Sequence, residues 1–259
     1  MRIVRFARTN KTYWGIVKDD LIHSLAESPF KSFDAGTDYE FDGKSYPLTG
    51  VKLMAPCLPS KIVCLGVNYR PHAEEFNSKL PSNPLIFLKP STSVIGPEDS
   101  IVLPRNWKRV DLEGELALVI GKKARYVSEE KSREYLLGYT CLNDVTERDI
   151  QKADGQWTRA KGFDTFAPIG PWIETEVHAD DLKIETYLNG EKRQNDRTSS
   201  LIFGISTLVS FISNVMTLLP GDVIATGTPA GVGPMKPGDV VEVRIEKIGS
   251  LRNPVAAPL

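Results

Sequence analysis

Val110-Asp-Leu-Glu-Gly-Glu-Leu-Ala-Leu-Val-Ile-Gly121 is the stretch that decides the fold. The apolar run Leu116 to Ile120 is short, β-branched at its end and closed by Gly121-Lys122, which makes it a strand. Side chains on a strand alternate between faces, so Glu113 and Glu115 share one face at a spacing of about 7 Å. Two anions that close repel, and they need either a cation between them or a proton on one of them. A second apolar strand, Tyr139-Thr-Cys-Leu142, delivers Asp144 at its end. Three carboxylates without His or Cys suit a hard divalent ion such as Mg²⁺ or Mn²⁺. A Glu-x-Glu strand alone is more often the solvated face of a sheet, so the metal reading needs further residues.

The chain has 259 residues, enough for one large domain or for a small one joined to a large one. Its 41% hydrophobic and 25% charged content is that of an ordinary globular protein. With 32 basic and 33 acidic residues there is no charge excess to attract nucleic acid or an anionic membrane, so neither is expected as a partner. The first eleven residues are too polar for a signal peptide, and the apolar-rich stretch Leu208 to Leu219 is too short to span a bilayer. Cys57, Cys64 and Cys141 form no Cys-x-x-Cys pair, so they are expected as reduced core thiols in a cytoplasmic protein.

Residues 1–55 read as a small β-rich N-terminal domain, with strands at Ile3 to Ala7, Tyr13 to Val17 and Leu21 to Leu25 and a hairpin turn at Lys18-Asp-Asp20. Residues 56–259 form the main domain. It opens with a buried strand, Lys61 to Leu65, followed by a helix with Pro71 in its first turn and His72 and Glu75 on one face. Polar, proline-punctuated sequence follows, so residues 70 to 82 are expected to act as a mobile cover. Pro84 to Pro90 and Ser100 to Pro104 read as strands, and Ser128 as the cap of a helix beginning Glu129-Glu130. Asn189-Gly190 marks a hairpin, and Ile205, Leu208, Val209, Ile212, Val215 and Met216 mark the apolar face of a helix over 206–217. His23 and His178 have no motif around them and read as structural and surface residues. Strands dominate and regular helix–strand alternation is missing, so the fold class is mainly β with few helices, α+β.

Five motifs now stand in order: Gly66-x-Asn68-Tyr69-x-x-His72-x-x-Glu75, Glu113-Gly-Glu115, Asn143-Asp144-Val-Thr-x-Arg148-Asp-x-Gln151, Lys161-x-Phe163-Asp164 and Thr226-Gly227-Thr228-Pro-x-Gly231-Val-Gly233. Over residues 56 to 255 this order resembles the fumarylacetoacetate hydrolase family. The first 55 residues resemble, less specifically, the N-terminal extension of some bacterial members. The resemblance implies that family's mixed β-sandwich roll and a homodimer. It implies metal ligation by Glu113, Glu115 and Asp144, and a lid dyad of His72 and Glu75. It also puts Lys161, Arg148, Gln151, Gly227 and Thr228 beside the substrate. One departure is Pro71, where the family often has an acidic residue before the lid histidine.

A 2-oxo acid offers a carboxylate and a keto oxygen that chelate one Mg²⁺ or Mn²⁺, which then acts as Lewis acid and electron sink. If the cleaved group is an acyl, His72 oriented by Glu75 is a suitable base for water, and Lys161 a cation for developing negative charge. The glycine-rich turn around Thr228 exposes backbone N–H groups suited to a carboxylate. The expectation is a hydrolase releasing pyruvate from acylpyruvates such as fumarylpyruvate or acetylpyruvate. Oxaloacetate decarboxylation and isomerisation of a muconate-type acid such as 2-hydroxyhepta-2,4-diene-1,7-dioate are the alternatives. A non-catalytic metal- or acid-binding protein is the contrasting class, and it would have no use for a base.

Overall fold

A computed structural model describes residues 1–75 and 80–258. The mobile-cover expectation for 70 to 82 therefore falls partly on residues outside the described ones. The fold is mainly β, as expected, and is built on a twelve-stranded mixed sheet. At its centre Gly114–Ile120 pairs antiparallel with Leu136–Asn143 on one side and with Val223–Ala225 on the other. Val223–Ala225 runs parallel to Lys61–Gly66, which carries Leu85–Pro90 at the sheet edge.

The central strand is buried along its whole length, and its alternation sorts two cores. Leu116, Leu118 and Ile120 join the cluster under the helix Ile205–Val215 and the five-stranded sheet, while Ala117 and Val119 join the opposite cluster. The helix buries Ile205, Leu208, Val209 and Ile212 at the expected spacing. Val215, expected on that apolar face, is instead 52% exposed because it falls in the last turn, where the chain leaves the sheet.

Asn189 and Gly190 adopt φ of 53° and 82°, the left-handed pair that a tight hairpin requires, between Lys183–Leu188 and Glu191–Arg197. Asp19 and Asp20 play the same part between Lys11–Lys18 and Leu21–Leu25. Glu129–Tyr135 is a 3-10 helix, not an α-helix, and Ser128 makes no side-chain cap bond there.

The N-terminal strands continue the main sheet edge to edge. Ile3 pairs with Ile173, and Trp14, Phe30 and Phe33 pack on the cluster that contains Ala117 and Val119. Cys57, Cys64 and Cys141 are free and buried, and burial pushes the Cys57 thiol up to about 12. Among the described residues no helix is long and apolar enough to cross a membrane.

Candidate metal centre and active site

Glu113 lies where the chain passes between sheets. Val110–Leu112 belongs to a three-stranded sheet with Thr146–Glu147 and Gly233–Met235, whereas Gly114–Ile120 belongs to the large one. The residue between the two glutamates must be glycine: a Cβ at Gly114 would stand 2.0 Å from Thr186 Oγ1. Asp144 follows the neighbouring strand, and its N–H donates to Glu113 O at 2.8 Å. One carboxylate oxygen from each of Glu113, Glu115 and Asp144 can be chosen so that all lie within 4.8 Å of one another, and all three residues are buried.

Cations compensate two of the three. Lys161 Nζ donates to Glu113 Oε2 at 2.8 Å and to Asp144 Oδ2 at 2.6 Å. Arg148 Nη2 lies 2.5 Å from Glu113 Oε1. Burial would push the Glu113 carboxyl up, but Lys161 and Arg148 outweigh it and hold the group at about 2. Glu115 Oε2 accepts from the Gly227 N–H at 2.7 Å. Burial, with Asp144 and Glu113 nearby, pushes its carboxyl well above the ordinary range. The donor set therefore fits a hard divalent cation: three carboxylate oxygens converge, and at Glu115 burial and the two neighbouring carboxylates outweigh the charge of Lys161.

Glu113 and Glu115 line a cleft of about 570 Å³ together with His72, Arg148, Gln151, Lys161 and Thr228. His72 and Glu75 come from the helix Arg70–Glu75, with Nδ1 3.1 Å from Glu75 Oε2. His72 is close enough to Glu113 for its charge to favour that carboxylate. Gln151 accepts from Arg148 Nη1 at 2.9 Å on the helix Arg148–Asp154.

The turn residues also hold the strand that carries Glu115, and Thr228 lines the cleft. Thr228 Oγ1 donates to Gly114 O at 2.9 Å and accepts from Gln194 Nε2 at 2.7 Å. Gly227 spends its N–H on Glu115. In this arrangement both brace the Glu113–Glu115 segment. An apolar wall completes the cleft, where Phe87 and Trp157 meet edge to face at 5.2 Å.

Sequence reading missed Lys89, which is fully buried and donates to Asp144 Oδ1 at 2.6 Å and to Val145 O at 3.1 Å. Its strand is inverted, with Leu85 and Leu88 49% and 42% exposed beside the buried lysine. A charge inside an apolar run bounded by prolines was the available signal. Gln194 was also missed; its amide links Gly114, Thr228 and Pro229 from an otherwise polar hairpin strand, which gave no signal.

A family model described as fumarylacetoacetate (FAA) hydrolase C-terminal matches residues 61–256. The chain belongs to the fumarylacetoacetate hydrolase family. A second model, Rv2993c-like N-terminal, matches residues 1–56. Protein Rv2993c of Mycobacterium tuberculosis is 48% identical over 98% of both chains. The mitochondrial oxaloacetate tautomerase Fahd2a of Rattus norvegicus is 42% identical over 81% of this chain and 71% of its own. Among solved structures, the 2-hydroxyhepta-2,4-diene-1,7-dioate isomerase of Mycobacterium marinum is 46% identical with a TM-score of 0.91, over 99% of this chain and 98% of that one. The maleylpyruvate hydrolase of Sphingobium sp. SYK-6, in complex with manganese (II) ion and pyruvate, is 31% identical over all of both chains with a TM-score of 0.83. Family members are thus hydrolases, isomerases and a tautomerase, and one of them binds a divalent metal.

Proposed function

We propose that this family member is a Mg²⁺- or Mn²⁺-dependent hydrolase that cleaves a C–C bond in acylpyruvate-like 2-oxo acids and releases pyruvate. The observation that carries the reading is that His72, with Glu75 at its Nδ1, lines the same cleft as Glu113 and Glu115, on which Asp144 converges. Glu113, Glu115 and Asp144 would hold the ion. When bound, it supplies Lewis acidity to the chelated oxygens of the 2-oxo acid.

The protein's own side chains do the rest. Arg148 and Gln151 anchor the substrate carboxylate, the former with a guanidinium suited to that geometry. His72 removes a proton from the attacking water, while Glu75 orients the ring through Nδ1 and stabilises the charge it acquires. Lys161 fixes Glu113 and Asp144 together and adds positive potential beside the reacting group. Phe87 and Trp157 exclude water from one wall.

A second reading is proton transfer without cleavage, as in isomerisation or tautomerisation, or loss of carbon dioxide from oxaloacetate. The names of the Mycobacterium marinum and rat relatives favour keeping it. A non-catalytic binder is disfavoured because it has no need of an oriented base. We also propose a cytoplasmic homodimer with a domain division near residue 55; the dimer rests on the family resemblance.

Turnover of acetylpyruvate, fumarylpyruvate and oxaloacetate with Mg²⁺ and with Mn²⁺ tests the function. Pyruvate released from an acylpyruvate supports hydrolysis. Loss of carbon dioxide from oxaloacetate, or its tautomerisation, with no acylpyruvate cleavage would replace it by the second reading.

A further inference from the structure

Asp111 is fully buried, lies outside the carboxylate triad and has no role in the mechanism above. Its Oδ1 accepts from Arg109 Nε at 2.9 Å, and its Oδ2 accepts from Arg109 Nη2 at 3.0 Å and from Arg148 Nε at 2.8 Å. One carboxylate therefore holds two guanidiniums, and both arginines line the cleft. The rest of the Arg148 fork points to Gln151 and Glu113.

A merely structural tie would serve to hold the strand Val110–Leu112 to the start of the helix Arg148–Asp154. The backbone already does so: Val110 pairs with Glu147, and Arg148 N donates to Arg109 O at 2.8 Å. A structural ion pair also needs only one cation for one carboxylate. Arg109 and Arg148, both held by Asp111, each present a guanidinium in the cleft lining, which suits an anionic ligand.

The position of Arg148 between Asp111 and Glu113 gives the second half of the argument. Without Asp111, its guanidinium would be drawn wholly to Glu113, away from Gln151 and onto a carboxylate needed for the metal. We propose that Asp111 is a positioning residue for the substrate. It holds the Arg148 fork, and Gln151 with it, in the orientation that receives the carboxylate of a 2-oxo acid. The identity of that ligand rests on the function proposed above.

Oxalate, which carries the same pair of adjacent oxygens on neighbouring carbons, is a probe that needs no turnover. It would be titrated calorimetrically into the Mn²⁺-loaded native protein, Asp111→Asn, Asp111→Glu, Arg148→Gln and the double variant Asp111→Asn/Arg148→Gln. Asp111→Asn is expected to weaken oxalate by about tenfold while Mn²⁺ affinity stays within about threefold, the scale of one misplaced charge-assisted contact. The double variant should bind oxalate no more weakly than Arg148→Gln, because the two residues act as one. Asp111→Glu keeps the counter-charge that protects the fold but shifts the fork, and should weaken oxalate by about fivefold.

On a substrate that turns over, Asp111→Asn should raise KM by about tenfold with a smaller change in kcat. Unchanged oxalate affinity in the aspartate variants would overturn the proposal, as would additive losses in the double variant. So would an equal fall in Mn²⁺ affinity, which would make Asp111 a support for Glu113. Native protein that binds Mn²⁺ and oxalate yet turns over no 2-oxo acid would defeat the proposed function and leave this test standing.

Discussion

Glu75 holds Gly231: its two carboxylate oxygens receive that residue's backbone N–H at 3.2 and 3.4 Å, while Oε2 stands 3.1 Å from Nδ1 of His72. Gly231 lies four residues beyond Gly227, whose N–H supports Glu115. One carboxylate thus connects the short helix, the base and the turn on the metal side. Glu75→Gln keeps an acceptor for Gly231 but loses the charge beside His72, whereas Glu75→Ala loses both. The alanine variant should therefore show the lower kcat for acylpyruvate cleavage and faster protease nicking near Arg70–Glu75. Equal kcat and equal nicking in the two variants would remove any role for the contact with Gly231.

His72→Ala separates the candidate reactions. Hydrolysis requires a base to activate water, whereas decarboxylation requires an electron sink and later a proton. The substitution should slow acylpyruvate hydrolysis by about 10²–10⁴-fold, the range for a positioned base, and slow oxaloacetate decarboxylation much less. Steady-state rates with Mn²⁺ saturating decide it, and a native hydrolysis rate would place the base elsewhere.

Glu115→Gln should abolish Mn²⁺ binding and stabilise the metal-free protein. The Glu115 carboxyl is raised in the folded state by burial and by Asp144 and Glu113, so its contribution to stability is complete in acid and is lost as pH rises through the folded value. Glu113 behaves oppositely: held at about 2, it contributes above the ordinary carboxyl range and loses that contribution as pH falls towards 2. In chelator, the Tm advantage of the glutamine variant over native protein should therefore be larger at about pH 8 than at about pH 4. A constant difference would contradict the raised Glu115 carboxyl.

Lys89→Met should cost about 3–5 kcal/mol in urea unfolding, the usual loss when one partner of a buried ion pair is removed. The uncompensated charge is Asp144, which keeps only Lys161. A loss below about 1 kcal/mol, the scale of an exposed pair, would show that water reaches this site.

The sequence made the strand scaffold legible wherever local chemistry and packing agree. Asn189-Gly190 can hardly be anything but a hairpin turn, and Leu116, Leu118 and Ile120 could alternate only on a buried strand. Glu113, Glu115 and Asp144 were legible because two sit one residue apart and the third closes a neighbouring strand. Asp111 and Lys89 were not, because Arg148 lies 37 residues from the one and Asp144 55 residues from the other, and a single charge in a strand has no periodicity to mark it. The 3-10 form of Glu129–Tyr135 was hidden for a different reason: its acidic first turn suits an α-helix equally well.

The triad carboxylates and the proposed base have different origins in the chain. The former come from the junctions and ends of central strands that are buried on both faces, and the latter from a six-residue helix linked to the turn at Gly231 through Glu75. Inherited change therefore meets unequal resistance in the two places. A substitution near Glu115 disturbs two hydrophobic cores at once, whereas one in the six-residue helix touches neither central strand. Variation between copies of such a chain is therefore expected to collect in the helix sooner than beside Glu115.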